Sequence, residues 1–86
     1  METVTALARL TDLFRDMFGD DTLILTPETT AADVPGWDSM AHIGLMVEAE
    51  RRFGVTFQTV EMEELTNAGE FAALIARKTG AEARAR

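Results

Sequence analysis

The segment from Asp38 to Gly54 constrains this chain most: a capping acid, fifteen residues without proline, and a glycine placed to stop a helix. Asp38 is a good N-cap, and its charge suits the positive end of a helix dipole. Gly54 suits the left-handed position that follows a helix. A helix starting at Asp38 or Ser39 and ending at Phe53 is therefore expected. At about 100° per residue its apolar side chains fall on two opposite faces. Leu45, Met46, Ala49 and Phe53 form the face assigned to the core. Met40, Ile43 and Val47 form the other, with Gly44 between them and Arg51 one turn on. A surface helix of a small bundle needs only one apolar stripe, so the second is expected to dock a partner, flanked by Glu48 and the loop acids. The flexible thioether of Met40 suits such a surface. The competing possibility is a central helix buried on both sides. Gly44 leans against it, because glycine costs roughly 1 kcal/mol relative to alanine in a helix and fills no core space.

The rest of the chain supplies partners for the core face. From Val4 to Phe18, Leu7, Leu10, Leu13, Phe14, Met17 and Phe18 recur three and four apart, opposite Arg9, Asp12, Arg15 and Asp16. This predicts an amphipathic first helix capped by Thr3 or Thr5 and stopped near Gly19. Residues 19 to 38 carry turn formers throughout and read as a long connection, with Leu23, Ile24, Leu25 and Val34 as its anchors to the core. A strand at Leu23–Leu25 would have no partner run, so it is not expected. After the apolar pair Val55 and Phe57, Val60–Leu65 fits a short third helix. A fourth follows, capped by Thr66 or Asn67 with Glu70 at capping-box spacing. Phe71, Leu74 and Ile75 give it an apolar stripe padded by Ala72, Ala73 and Ala76, Arg77 and Lys78 sit in its last turn, and Gly80 is its expected end. The expected fold class is all-α, a four-helix bundle over residues 1–80, with residues 81–86 as a tail.

At 86 residues this is one small domain, near the size at which a single core is only marginally stable, and elaborate internal active sites are not expected. The absence of cysteine excludes disulfides and thiolate zinc sites. No run approaches the roughly 18 apolar residues of a membrane span, and the first residues lack the basic-then-apolar pattern of a signal peptide. A soluble, cytoplasmic monomer without membrane contact is expected. The net charge is −7, and between Arg15 and Arg51 there are eight acids and no lysine or arginine. Such a surface repels phosphate backbones, which argues against nucleic acid, and it steers basic protein surfaces toward it.

Catalysis has little to build on. The only histidine, His42, lies three residues from Ser39 and could be imagined as its base, yet no oxyanion loop accompanies it and it falls on the core side of the helix. The acids show no EF-hand pattern and indicate no specific metal site. Ser39 itself has two possible roles. It is either a helix cap, or an exposed hydroxyl at a helix N-terminus where a phosphodiester would be favoured by free backbone N–H groups and the dipole.

Asp38, Ser39 and Met40, followed by Ile43, Leu45, Met46, Val47, Glu48, Glu50, Phe53 and Gly54, resemble the signature of the acyl carrier protein family. There the usual form is Asp-Ser-Leu opening a helix that ends in Glu-x-x-Phe-Gly, and the likeness extends over roughly residues 5 to 79. The resemblance implies a non-catalytic four-helix carrier. Its Ser39 would be esterified with 4'-phosphopantetheine from coenzyme A by a phosphopantetheinyl transferase, and the thiol of that arm would hold an acyl group as a thioester. It also implies that acyl-loading and synthase enzymes dock on Asp38, Met40, Ile43, Val47 and Glu48. The chain departs from the pattern at Pro35, Trp37 and Met40, and at Gly44, Arg51 and Arg52, where acids are frequent in fatty-acid carriers. The form Gly-Trp-Asp-Ser is more similar to stand-alone carriers of specialised, polyketide-like pathways than to housekeeping fatty-acid synthesis. The alternatives are an aminoacyl or peptidyl carrier, and a non-covalent interaction module in which Ser39 only caps.

Overall fold

The computed structural model describes the backbone of residues 1–84 and the side chains of residues 1–80. Four α-helices follow one another: α1 Thr3–Phe18, α2 Ser39–Phe53, α3 Thr59–Glu64 and α4 Ala68–Arg84, with a single 3₁₀ turn, Ala31–Asp33, in the long first connection. No strand forms among the described residues, which leaves the all-α expectation standing.

α1 lies against both α4 and α2. Leu10, Leu13 and Phe14 of α1, Leu45 and Met46 of α2, and Phe71 and Ile75 of α4 are the largest side chains closed off from solvent. Ala6, Ala49, Ala68 and Ala72 are fully buried between them, and small residues at such points let helices approach closely. Burial of these faces supplies the bulk of the folding free energy, at roughly 25 cal/mol per Å² of apolar surface.

Several boundaries differ from expectation. Neither Thr3 nor Thr5 caps α1: Thr3 is already helical, and Glu2 stands at the cap position without a side-chain bond. α3 begins at Thr59 rather than Val60, because Glu61 accepts the Gln58 backbone N–H at 2.8 Å and secures the turn one residue earlier. Both proposed caps of α4 act together. Asn67 Oδ1 accepts the Glu70 amide, while Glu70 Oε1 accepts the backbone and hydroxyl protons of Thr66, all at 2.8 Å. The helix does not stop at Gly80. Its backbone continues to Arg84 through Ala81, Glu82 and Ala83, good helix formers that outweigh one unfavourable glycine. The remainder of the expected tail, residues 85 and 86, lies outside the described residues.

Phe53 sits on the core-facing side of α2 but is only half-buried. The Arg9 guanidinium lies 4.7 Å over its ring, so a cation and not a closed core covers one face. Ile24 is not an anchor either. Leu23 and Leu25 turn inward on each side of it, and Ile24 is 72% exposed.

Candidate functional site

Ser39 opens α2, and its position depends on how the twenty residues before it are held. Leu25 and Val34 bury their side chains, and the Arg15 Nε–H of α1 donates to the Leu23 carbonyl at 2.7 Å. Farther along, the loop serves as the cap of another helix. The first amides of α4 donate into it, Ala68 N–H to the Thr29 carbonyl at 2.8 Å and Gly69 N–H to the Pro27 carbonyl at 2.9 Å. Gly69 is required by this approach, since a Cβ there would stand 2.7 Å from the Pro27 carbonyl oxygen. A connection of this length is thereby fixed at both of its middle turns instead of lying loose on the surface.

At the end of the loop Gly36 takes a positive φ of 92°, a conformation that side chains resist, and turns the chain against the Phe18 ring. Trp37 then packs edge-on against Phe14, with ring centroids 5.0 Å apart. Asp38 is the cap: its Oδ1 accepts the Ala41 amide at 2.9 Å and its carbonyl accepts the His42 amide at 2.8 Å. Ser39 is therefore the first helical residue and not the cap, and its side chain is exposed. Among the described residues, the Ser39 and Met40 amides have no backbone partner. An exposed hydroxyl beside open N–H groups at the positive end of a helix is a fitting place for a phosphodiester. It is also the only serine in the chain.

His42 takes no part in activating that hydroxyl. The Trp37 indole N–H donates to its Nδ1 at 3.1 Å, and its Nε2 lies 3.0 Å from the Met62 carbonyl of α3. An indole N–H only donates and a carbonyl only accepts, so the two bonds place the ring proton on Nε2 and occupy both nitrogens. Beside Ser39 an open cleft of about 650 Å³ runs between α2 and α3, lined by Trp37, Ile43, Met62 and Leu65 and by the polar Thr59 and Glu63 among others. Among the described residues no three of the metal-ligating side chains come together.

The two faces of α2 are resolved. Leu45, Met46 and Ala49 are buried, while Met40, Ile43 and Val47 are 80, 54 and 59% exposed, so the helix is not buried on both sides. Asp38 is exposed at the head of that apolar face. Glu48 is differently placed from the simple acid that the sequence suggested. Both Arg51 and Arg52 pair with its carboxylate, and Arg52 continues at 2.9 Å to Asp16 of α1. Hydrogen bonds from the two guanidiniums hold the Glu48 carboxyl down to about 2, from an ordinary 4.5. Gly44 faces Met17 of α1: a Cβ there would lie 3.3 Å from the Met17 terminal methyl.

Other acids hold turns. Asp20 accepts both the amide and the hydroxyl of Thr22, which lowers its carboxyl, and Asp33 accepts the Thr30 amide at 2.9 Å. Glu50 Oε2 accepts the Phe57 amide at 2.8 Å and ties the segment after α2 back to that helix. The α3 side of the cleft went unnoticed in the sequence, because Thr59, Met62 and Glu63 lie on a single short helix where no periodicity can develop.

Residues 8–75 match the family model described as a phosphopantetheine attachment site. Among solved structures, the chain is similar to the holo acyl carrier protein from Geobacter metallireducens determined by solution NMR. The two share 36% identity over 94% of this chain and 93% of the other, with a TM-score of 0.87. No curated protein matches the chain. The match over most of the length, the shared four-helix fold and the serine at the head of α2 lead to one assignment: the chain belongs to the acyl carrier protein family, whose members carry a covalently attached 4'-phosphopantetheine and are not themselves enzymes.

Proposed function

We propose that Ser39 is the attachment point of the 4'-phosphopantetheine arm and that the chain serves as a carrier in specialised, polyketide-type assembly. The single observation that carries the first part is the division of labour at the head of α2. Asp38 does the capping, which leaves the one serine hydroxyl exposed beside two open amides. When bound, the arm supplies a flexible tether ending in a thiol, the chemistry that holds an acyl group. The chain's own residues hold the attachment point steady through Gly36, Trp37 and Asp38 and present the docking face beside it.

That face is Met40, Ile43 and Val47 with Asp38 at its head, and it is the surface on which the phosphopantetheinyl transferase, loading enzymes and synthase would dock. Glu48 lies at its edge with its charge already balanced by Arg51 and Arg52. Partners would therefore read this face by apolar fit more than by a row of acids, and this supports a specialised pathway over housekeeping fatty-acid synthesis. The protein would act as a cytoplasmic monomer. Among the described residues, no helix is long and apolar enough to cross a membrane.

Incubation with coenzyme A and a broad-specificity transferase should raise the intact mass by one phosphopantetheine. Ser39→Ala should abolish the gain, and Val47→Glu should slow it without lowering the melting temperature. Unchanged modification of Ser39→Ala would refute the assignment, and an unslowed Val47→Glu chain would remove Val47 from the docking face.

A further inference from the structure

We propose that Met40 is an oxidation site: a peroxide converts its thioether to the sulfoxide, and this suspends docking on the face beside Ser39 while the bundle stays folded. The effect on docking rests on Met40, Ile43 and Val47 being the face where partners seat. The choice of Met40 as the oxidised residue does not. The chain has five methionines and no cysteine, so before an arm is attached its only sulfur open to a peroxide is in thioethers. Their settings differ sharply. Met46 is closed off in the core, and Met62 is partly buried against it. Met1 and Met17 are 38 and 42% exposed, and the Met17 methyl is turned toward Gly44 of α2. Met40 is 80% exposed and directly follows Ser39.

Oxygen transfer requires the sulfur lone pair to reach the O–O bond, so exposure selects Met40. Its Sδ attacks one peroxide oxygen. An S–O bond forms as the O–O bond breaks, and the departing oxygen takes a proton and leaves as water from hydrogen peroxide or as an alcohol from an organic one. The sulfur gives up two electrons and the peroxide gains them. The reverse step needs two thiols from outside the chain, which become a disulfide while the oxygen leaves as water. The product is a strong hydrogen-bond acceptor whose neighbours along the face, Ile43 and Val47, have no side-chain donor to offer it. Glu48 is already balanced by Arg51 and Arg52, so the face depends on apolar fit and a buried sulfoxide is not offset by charge. The fold is spared for a geometric reason. The side chains that α2 gives to the core, Leu45, Met46 and Ala49, lie on its other side, and the cap at Asp38 uses a carboxylate and a backbone amide.

The test treats the arm-free protein with hydrogen peroxide until intact mass shows one added oxygen, and then removes the peroxide with catalase. Met17, Met40 and Met46 share the tryptic peptide Asp16–Arg51, so tandem fragmentation assigns the oxygen. It should lie on Met40, and a first oxygen on Met17 or Met1, or an even spread over the three, would overturn the site. The oxidised protein should keep its melting temperature and take an arm from coenzyme A and a broad-specificity transferase about tenfold more slowly. Treatment with both classes of methionine sulfoxide reductase and a dithiol should restore the rate. Met40→Leu, which keeps an apolar side chain without sulfur, should load equally fast before and after the same peroxide treatment. Undiminished loading of protein oxidised at Met40, or an equal loss in Met40→Leu, would overturn the effect on docking. Loading of untreated protein is recorded first. A chain that takes no arm at all is thereby seen as a failure of the Ser39 reading, while the peptide map decides the oxidation site by itself.

Discussion

At Asp38 and Ser39 two adjacent polar side chains divide roles that either could fill. The Asp38 carboxylate takes the Ala41 amide, so Asp38→Ala should lower stability by about 1 kcal/mol. Ser39→Ala, at a helical position with an exposed side chain, should change it by no more than about 0.5 kcal/mol. Thermal melts of the two variants check this, and equal losses would return Ser39 to a capping role. Glu48 gives a pH-dependent signature. Its folded carboxyl stands at about 2, below the ordinary 4.5. A depressed carboxyl stabilises the fold fully above its ordinary value, and that contribution is lost as the pH falls through the lowered one. The melting temperature of Glu48→Gln should therefore lie below that of the parent near pH 7 and converge with it as the pH is taken down to about 2. A gap that persists at the acid end would mean that the effect is packing and not charge.

At the scale of elements, α2 was legible almost residue for residue. Its cap, its stop and the separation of Leu45, Met46 and Ala49 from Met40, Ile43 and Val47 all follow from local chemistry and a period of about 3.6 residues. The long connection was not legible in the same way. Its apolar anchors Leu23, Leu25 and Val34 could be read from the sequence, but the rest of its anchoring runs through backbone groups, the Leu23, Pro27 and Thr29 carbonyls, and these look alike in every sequence. Gly69 betrays that contact only in three dimensions, for in sequence it is an unfavourable glycine in the first turn of a helix. Gly69→Ala should gain helix propensity yet lose about 1–3 kcal/mol net, because the added methyl drives into the Pro27 backbone, which has no rotamer by which to yield. A rise in melting temperature would show that the loop gives way more easily than its hydrogen bonds suggest. The roles of Trp37 and His42 were hidden for a related reason. Five positions apart, they fit no helical pairing, and it is the turn before α2 that brings them together.

Across the whole molecule, one core of α1, α2 and α4 carries stability while α3 closes the side next to Ser39. The apolar stripes identified which helices share that core but not how deeply each side chain sinks, since burial depends on neighbours far away in sequence. Phe71 is fully enclosed, so Phe71→Ala should cost about 3–5 kcal/mol. Phe53, half-open beneath Arg9, should lose roughly half as much on the same substitution. Denaturant unfolding of the two variants ranks them, and the reverse order would mean that the bundle closes differently around α2. The charge distribution is likewise a property of the whole: many of its acids hold turns or pair with arginine, and the exposed face of Met40, Ile43 and Val47 is left chiefly apolar. The central claim is that this scaffold exists to present one hydroxyl, and the most direct test is to locate the modification. After reaction with coenzyme A and the transferase, trypsin should release the stretch Asp16–Arg51 as a single peptide, because no lysine or arginine interrupts it. Tandem mass spectrometry should place one phosphopantetheine on Ser39 in that peptide. A peptide left unmodified under conditions that load a control carrier, or an arm found on a threonine, would contradict the account.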